Sequence, residues 1–181
     1  MLLLNSPSNP TGLVYSRDEF QQLANVLRDW PQVAILTDDI YNRLMFDSSQ
    51  VAPHLLHVAP EMRDRVVIVN GCSKTYSMTG WRMGWALGEP KLIEAMANFQ
   101  SQAQGSSSSI TQKAAVAAIR EGDPAVKGVK ELLQTRLRFF LAELQSIPGI
   151  KVFEPQGAFY VWLGIQSFLA HRLRQFTLDL V

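Results

Sequence analysis

The chain has 181 residues, 47% of them hydrophobic and 18% charged, which is long enough for one ordinary globular core and too apolar for a disordered chain. Seventeen basic against sixteen acidic side chains leave a formal net charge of +1 with no block of like charges, so neither a nucleic acid nor an acidic surface is suggested as a partner. The single cysteine, Cys72, excludes an internal disulfide framework and points to a reducing, cytoplasmic setting.

Met1, Leu2, Leu3 and Leu4 are followed at once by Asn5, Ser6 and Pro7, too short an apolar run for a signal h-region. No stretch approaches the ~18 apolar residues of a membrane span, so no membrane partner is expected. The three histidines show no metal-ligand spacing. A charged share below the roughly 25% of typical domains hints that some of the surface is covered.

In chain order, short apolar runs predict strands at residues 2–4, 33–36, 66–69 and 83–87, separated by amphipathic stretches. Runs this continuous suit strands buried on both faces. Ser16 and Glu19 form a capping box ahead of Phe20, Leu23, Ala24 and Leu27 at helical spacing, which gives a β-α-β unit with polar residues just beyond the strand ends. Ligands usually sit at that carboxyl edge in open α/β sheets.

After Pro90 the pattern predicts helices over 91–100, 110–120 and 123–147. The last carries a stripe of Val126, Val129, Leu132, Leu133, Leu137, Phe140, Leu141, Leu144 and Ile147, closed by Pro148 and Gly149. Two further strands are expected at 151–153 and 158–163, and the tail from 168 has a helical flavour.

The chemistry is concentrated in Gly71-Cys72-Ser73-Lys74-Thr75-Tyr76-Ser77-Met78-Thr79-Gly80-Trp81-Arg82-Met83-Gly84. A lysine between a buried strand and a Gly-containing turn can be partly desolvated, which favours its neutral, nucleophilic amine. Arg82 adds a planar fork suited to phosphate. Taken alone, Lys74 reads more readily as a surface loop lysine and Arg82 as half of an ion pair.

The whole segment, however, resembles the lysine signature of the class I/II aminotransferases, enzymes that use pyridoxal 5′-phosphate. Asn5-Ser6-Pro7-Ser8-Asn9-Pro10-Thr11-Gly12 resembles the family's Asn-Pro-x-Gly loop, and Thr37-Asp38-Asp39-Ile40-Tyr41 its Asp-x-x-Tyr element. Pro155-Gln156-Gly157-Ala158-Phe159-Tyr160 matches the family's entry into the small domain. The four occur in family order, and the wording of the loops is most similar to the prokaryotic type of aspartate aminotransferase.

The resemblance implies an α/β fold with a partial large domain on a mostly parallel sheet and the start of a small α+β domain. Residues 1–122 are then the partial cofactor-binding domain, 123–147 a long connecting helix, and 148–181 an incomplete small domain. It makes Lys74 the residue that forms the internal aldimine and then moves the proton from Cα to C4′. Asp38 is set against the pyridine nitrogen, Tyr41 and Asn9 against the ring oxygen O3′, and Arg82 and Ser73 against the phosphate. Where some members of the family place a phosphate-binding serine, this chain has Gly71, so only a backbone N–H can serve there.

Gly80 and Gly84 are expected to serve packing or backbone freedom. Trp30, Trp81, Trp85 and Trp162 are expected in the core or an interface, and His54, His57 and His171 as ordinary surface or loop residues. Cys72 is expected to be inert packing. No match to the family's Gly-rich phosphate loop, ring-stacking aromatic or substrate-carboxylate arginine is found, and Arg172 and Arg174 lack that context, so a middle fragment is expected. The implied substrates are an amino acid such as aspartate and a 2-oxo acid, with a homodimeric parent. Lyase or decarboxylase chemistry on the same fold, and a catalytically silent fragment, stay open as alternatives.

Overall fold

A computed structural model describes residues 1–47 and 49–169. The chain opens with β1 (Leu2–Asn5), α1 (Arg17–Arg28), β2 (Ile35–Asp38) and β3 (Val66–Gly71), and β4 (Gly84–Leu87) completes a four-stranded sheet in the order β1-β2-β3-β4. The first three strands run parallel and β4 pairs antiparallel with β3, so the sheet is mostly parallel, as expected.

Parallel neighbours need a crossover, and α1 supplies the first. Its start is fixed by the expected capping box: Glu19 N–H donates to Ser16 Oγ at 3.2 Å while Ser16 N–H donates to Glu19 Oε2 at 2.7 Å. Phe20, Ala24 and Leu27, spaced to share one face, are buried against Leu4, Ile35, Leu55, Ala59, Met62 and Val66. Between β2 and β3 the chain makes two short 3-10 turns, Leu55–His57 and Pro60–Arg65, in place of a long helix.

Three helices follow: α2 (Pro90–Ala103), α3 (Ser109–Glu121) and α4 (Asp123–Gln145). Helix α4 ends two residues before the expected Ile147, and its stripe is only partly covered. Val126, Leu141 and Leu144 are buried, whereas Leu132, Phe140 and Ile147 are exposed. None of α2 is buried, and Phe99 is 75% exposed. The low charged share of the sequence is thus matched by an apolar surface.

A two-stranded antiparallel sheet, β5 (Lys151–Phe153) and β6 (Trp162–Gly164), closes the described chain. The strand expected over 158–163 is shorter and later because Ala158 takes a left-handed φ of 59°. Residues 156–158 bind across to the first loop and to the Tyr41 turn instead. Gln156 N–H and Gly157 N–H donate to the Gly12 carbonyl, and Ala158 N–H to that of Leu44. Much of the expected helical tail, with His171, Arg172 and Arg174, lies outside the described residues.

Candidate active site

The polar ends of β1 and β2 are tied together before any ligand is considered. Asn5, the last residue of β1, donates from Nδ2 to the Asp38 carbonyl at 2.9 Å, and its Oδ1 accepts from Asn9 N–H at 2.7 Å. One amide side chain therefore fixes the loop bearing Asn9 to the strand end bearing Asp38. Sequence reasoning gave Asn5 no role of its own, although it stands directly after an apolar run and opens the Asn-Pro-x-Gly-like segment.

Asp38 turns back on the chain, with Oδ1 accepting from Ile40 N–H at 3.2 Å, and the turn then delivers Tyr41. The Tyr41 ring is buried and its hydroxyl lies 2.6 Å from the Tyr160 hydroxyl. Burial and that neighbouring phenol push the Tyr41 hydroxyl well above the ordinary tyrosine range, with a hydrogen bond to the Asn9 side chain acting the other way. Tyr41 is thus a neutral donor in contact with Asn9 and within reach of the Asp38 charge. These three expected residues are brought together.

Lys74 stands beside them. Its Nζ lies 5.7 Å above the centroid of Phe159, and Phe159 meets Tyr41 edge-on at 5.4 Å. The apolar wall between lysine and phenol is therefore supplied from 85 residues downstream of the lysine. Ser73 and Arg82 are joined by Thr79, whose Oγ1 donates to the Ser73 carbonyl at 3.0 Å while its own carbonyl accepts from Arg82 Nη1 at 3.1 Å. The rest of the exposed Arg82 fork and the Ser73 hydroxyl have no hydrogen bond to the chain among the described residues. Both Ser77 and Arg82 have left-handed backbones, at φ 56° and 52°. Residues with a Cβ are strained there. Together with Ala158 they are the non-glycine cases among the described residues, and all three lie in segments that build this site.

Several expectations change. Gly71 offers no free N–H, because that group donates to Asn70 Oδ1 at 2.7 Å. A Cβ on Gly71 would lie 2.7 Å from the Met83 carbonyl, so the close approach of β3 and β4 dictates the glycine. Gly84 is a packing residue in the same sense, since a Cβ there would lie 3.0 Å from the Asn70 carbonyl, but Gly80 borders open space and serves neither packing nor a positive φ. Trp30, Trp81 and Trp162 are about half exposed, outside the core of the described chain. His57 is at the surface and His54 in a loop, as expected, but the His54 side chain is largely covered, against Thr37 and Asp39. Cys72 is fully buried and burial pushes its thiol up, in keeping with inert packing. Among the described residues there is no cluster able to hold a metal ion, and no helix is long and apolar enough to cross a membrane.

Comparison with known proteins gives one consistent result. The family model for aminotransferase class I and II matches residues 1–178. An aspartate/prephenate aminotransferase of Nitrosomonas europaea is 38% identical over 170 residues, 94% of this chain and 43% of its own length. An aspartate aminotransferase of Rhizobium meliloti is 43% identical over 164 residues, 90% of this chain and 40% of its own. The crystal structure of the Rhizobium meliloti aspartate aminotransferase superposes with a TM-score of 0.85, again over 90% of this chain and 40% of that one. The chain spans about four-tenths of the length of these relatives.

Proposed function

Since the chain belongs to the class I and II aminotransferases, we propose that it carries the lysine-bearing part of a pyridoxal-phosphate-dependent transaminase that moves the amino group of an amino acid such as aspartate to a 2-oxo acid. The observation that carries this reading is the meeting of Asn9, Asp38 and Tyr41 at the carboxyl end of β1 and β2, with Lys74 held beside them over Phe159. The names of the relatives favour aspartate as amino donor.

The donor set fits the cofactor group by group. An amine suits its aldehyde, a carboxylate its ring nitrogen, a neutral phenol and an amide its ring oxygen, and an arginine fork with a hydroxyl its phosphate. When bound, pyridoxal phosphate supplies an electron-withdrawing ring that takes up the charge left at the substrate Cα. Asp38 then holds a proton at the ring nitrogen by direct charge pairing. Tyr41, kept neutral by burial, and Asn9 orient the ring through O3′. Lys74, its amine against the face of Phe159, moves a proton between Cα and C4′ of the bound pair. Arg82 and the Ser73 hydroxyl hold the phosphate, with Arg82 fixed to Thr79 by one Nη1 and its other donors left for the anion.

In this reading residues 1–122 form the cofactor-binding portion, α4 the connection, and 148–181 part of the small domain. A cytoplasmic location accords with the one buried thiol, and a homodimer of the whole protein with the exposed Phe99, Ile110 and Phe139. The test is borohydride reduction in the presence of pyridoxal phosphate, followed by peptide mapping. The label is expected on Lys74, and a label confined to other lysines overturns the assignment.

A further inference from the structure

Behind the Asp38 turn lies a set of buried polar groups with no part in the chemistry above. Side chains alternate along a strand, and Asp39 N–H continues the β2–β3 ladder by donating to the Val69 carbonyl at 2.9 Å. Thr37 and Asp39 therefore share one face of β2, and Asp38 points to the other. On the Thr37 face sits His54, whose Nε2 is 3.1 Å from Thr37 Oγ1 and 3.7 Å from Asp39 Oδ2. Thr37 is 3% exposed, and the side chains of His54 and Asp39 are 12% and 14% exposed.

The direction of each hydrogen bond follows from one contact. His54 Nδ1 accepts from Leu56 N–H at 3.1 Å, and a ring nitrogen that accepts carries no proton. The neutral imidazole therefore bears its hydrogen on Nε2 and donates to Thr37 Oγ1. The Thr37 hydroxyl hydrogen is then free for the neighbouring Asp39 carboxyl group on the same face, whose charged form it favours. An imidazolium would aim a second proton at the Leu56 N–H, so the close approach of His54 and Asp39 is a relay through Thr37 rather than an ion pair. Burial supports this by lowering His54 to about 4, with His57 adding to the effect. The relay does not depend on the charge of Asp39, because a carboxylate and the carbonyl oxygen of the acid both accept. The carbonyl of Asp39 in turn accepts from Asn42 N–H at 2.9 Å, inside the turn that presents Tyr41.

We propose that His54 and Thr37 are positioning residues: they clamp Asp39 on the reverse face of β2 and so fix the turn through which Asp38 and Tyr41 meet the cofactor. This rests on the cofactor reading above. Half-satisfied buried networks are unstable, so removing one member releases the others.

The test uses the full chain, with pyridoxal phosphate as the probe. Long-range nitrogen–proton NMR of His54 is expected to show a protonated Nε2 and a bare Nδ1 near neutral pH. Thr37→Val keeps the shape and deletes the hydroxyl. It is expected to weaken pyridoxal phosphate binding by about fivefold or more, the scale of one lost buried hydrogen bond, and to move the pH midpoint of the bound imine absorbance. Thr37→Ser, and His54→Gln with an amide donor near the place of Nε2, are expected to restore most of both. A proton on Nδ1, or Thr37→Val binding and titrating as the wild type does while Lys74 is still labelled, overturns the positioning role alone. A wild-type chain that forms no imine at Lys74 overturns the cofactor reading and this role with it.

Discussion

The hydroxyl of Tyr41 lies 2.6 Å from that of Tyr160, a contact spanning 119 residues of sequence. A hydroxyl has one proton to give, so if Tyr41 donates to a ring oxygen it must accept from Tyr160. The small-domain entry thereby sets which way the Tyr41 proton points.

Tyr160→Phe is accordingly expected to weaken pyridoxal phosphate binding less than Tyr41→Phe, because Asn9 still reaches the Tyr41 phenol. In a double-mutant cycle on chemical unfolding, the pair should show a coupling of about 1 kcal/mol, typical of a hydrogen bond between partly buried groups. Strictly additive single variants would mean that the two hydroxyls do not act together.

The sequence made the parallel strands, α1 and its capping box readable because each rests on local pattern: continuous apolar runs, 3.6-residue spacing, and Ser16 three before Glu19. The resemblance singled out Asn9, Asp38, Tyr41 and Lys74, side chains that the fold brings near one another. Contacts that join distant segments stayed hidden, since nothing within ten residues of His54 announces Thr37 and nothing near Lys74 announces Phe159. The expected strand over 158–163 failed for a related reason. Its apolar alternation is overridden by the turn at Gly157 and Ala158, which tertiary hydrogen bonds to Gly12 and Leu44 hold in place. The stripe on α4 was read correctly as periodic, but periodicity does not say how much of it the rest of the chain covers.

Asp38→Asn, made in the active holoenzyme, is expected to lower turnover by roughly 10²-fold while affecting cofactor retention much less. The amide preserves shape and can keep the contact with Ile40 N–H, but it cannot hold a proton at the ring nitrogen by charge. Turnover and the retained cofactor absorbance measure the two effects separately. Unchanged turnover would reduce Asp38 to a turn-forming residue.

Gly12→Ala tests the join between the first loop and the 155–160 segment. Gly12 has φ +70°, and a Cβ there would lie 2.3 Å from Pro155 Cβ and 3.0 Å from the Gly157 carbonyl. Left-handed strain plus overpacking against backbone should cost on the order of 2–4 kcal/mol. The same displacement would break the two hydrogen bonds that the Gly12 carbonyl accepts. Urea midpoints compared with a Gly80→Ala control, whose Cβ meets open space, measure the difference. Equal midpoints would show that the loop yields freely.

The buried Asp39 and His54 should oppose each other in the pH dependence of stability. Burial raises Asp39 from its ordinary 3.8 to about 6, so between those values the folded chain holds a proton that the unfolded chain has lost, and this contribution falls as pH rises. Burial lowers His54 from its ordinary 6.5 to about 4, so over nearly the same range the unfolded chain holds the extra proton, and this contribution grows as pH rises. Each proton is worth about 1.4 kcal/mol per pH unit, and the two slopes nearly cancel in the wild type between pH 4 and 6. His54→Gln leaves the Asp39 slope exposed, so its stability relative to wild type should fall by on the order of 2 kcal/mol from pH 4 to 6. Asp39→Asn leaves the His54 slope and should rise by a similar amount. Denaturant unfolding of the three proteins at half-unit pH steps provides the measurement. Variant curves that run parallel to the wild type would show that neither group titrates as its burial requires.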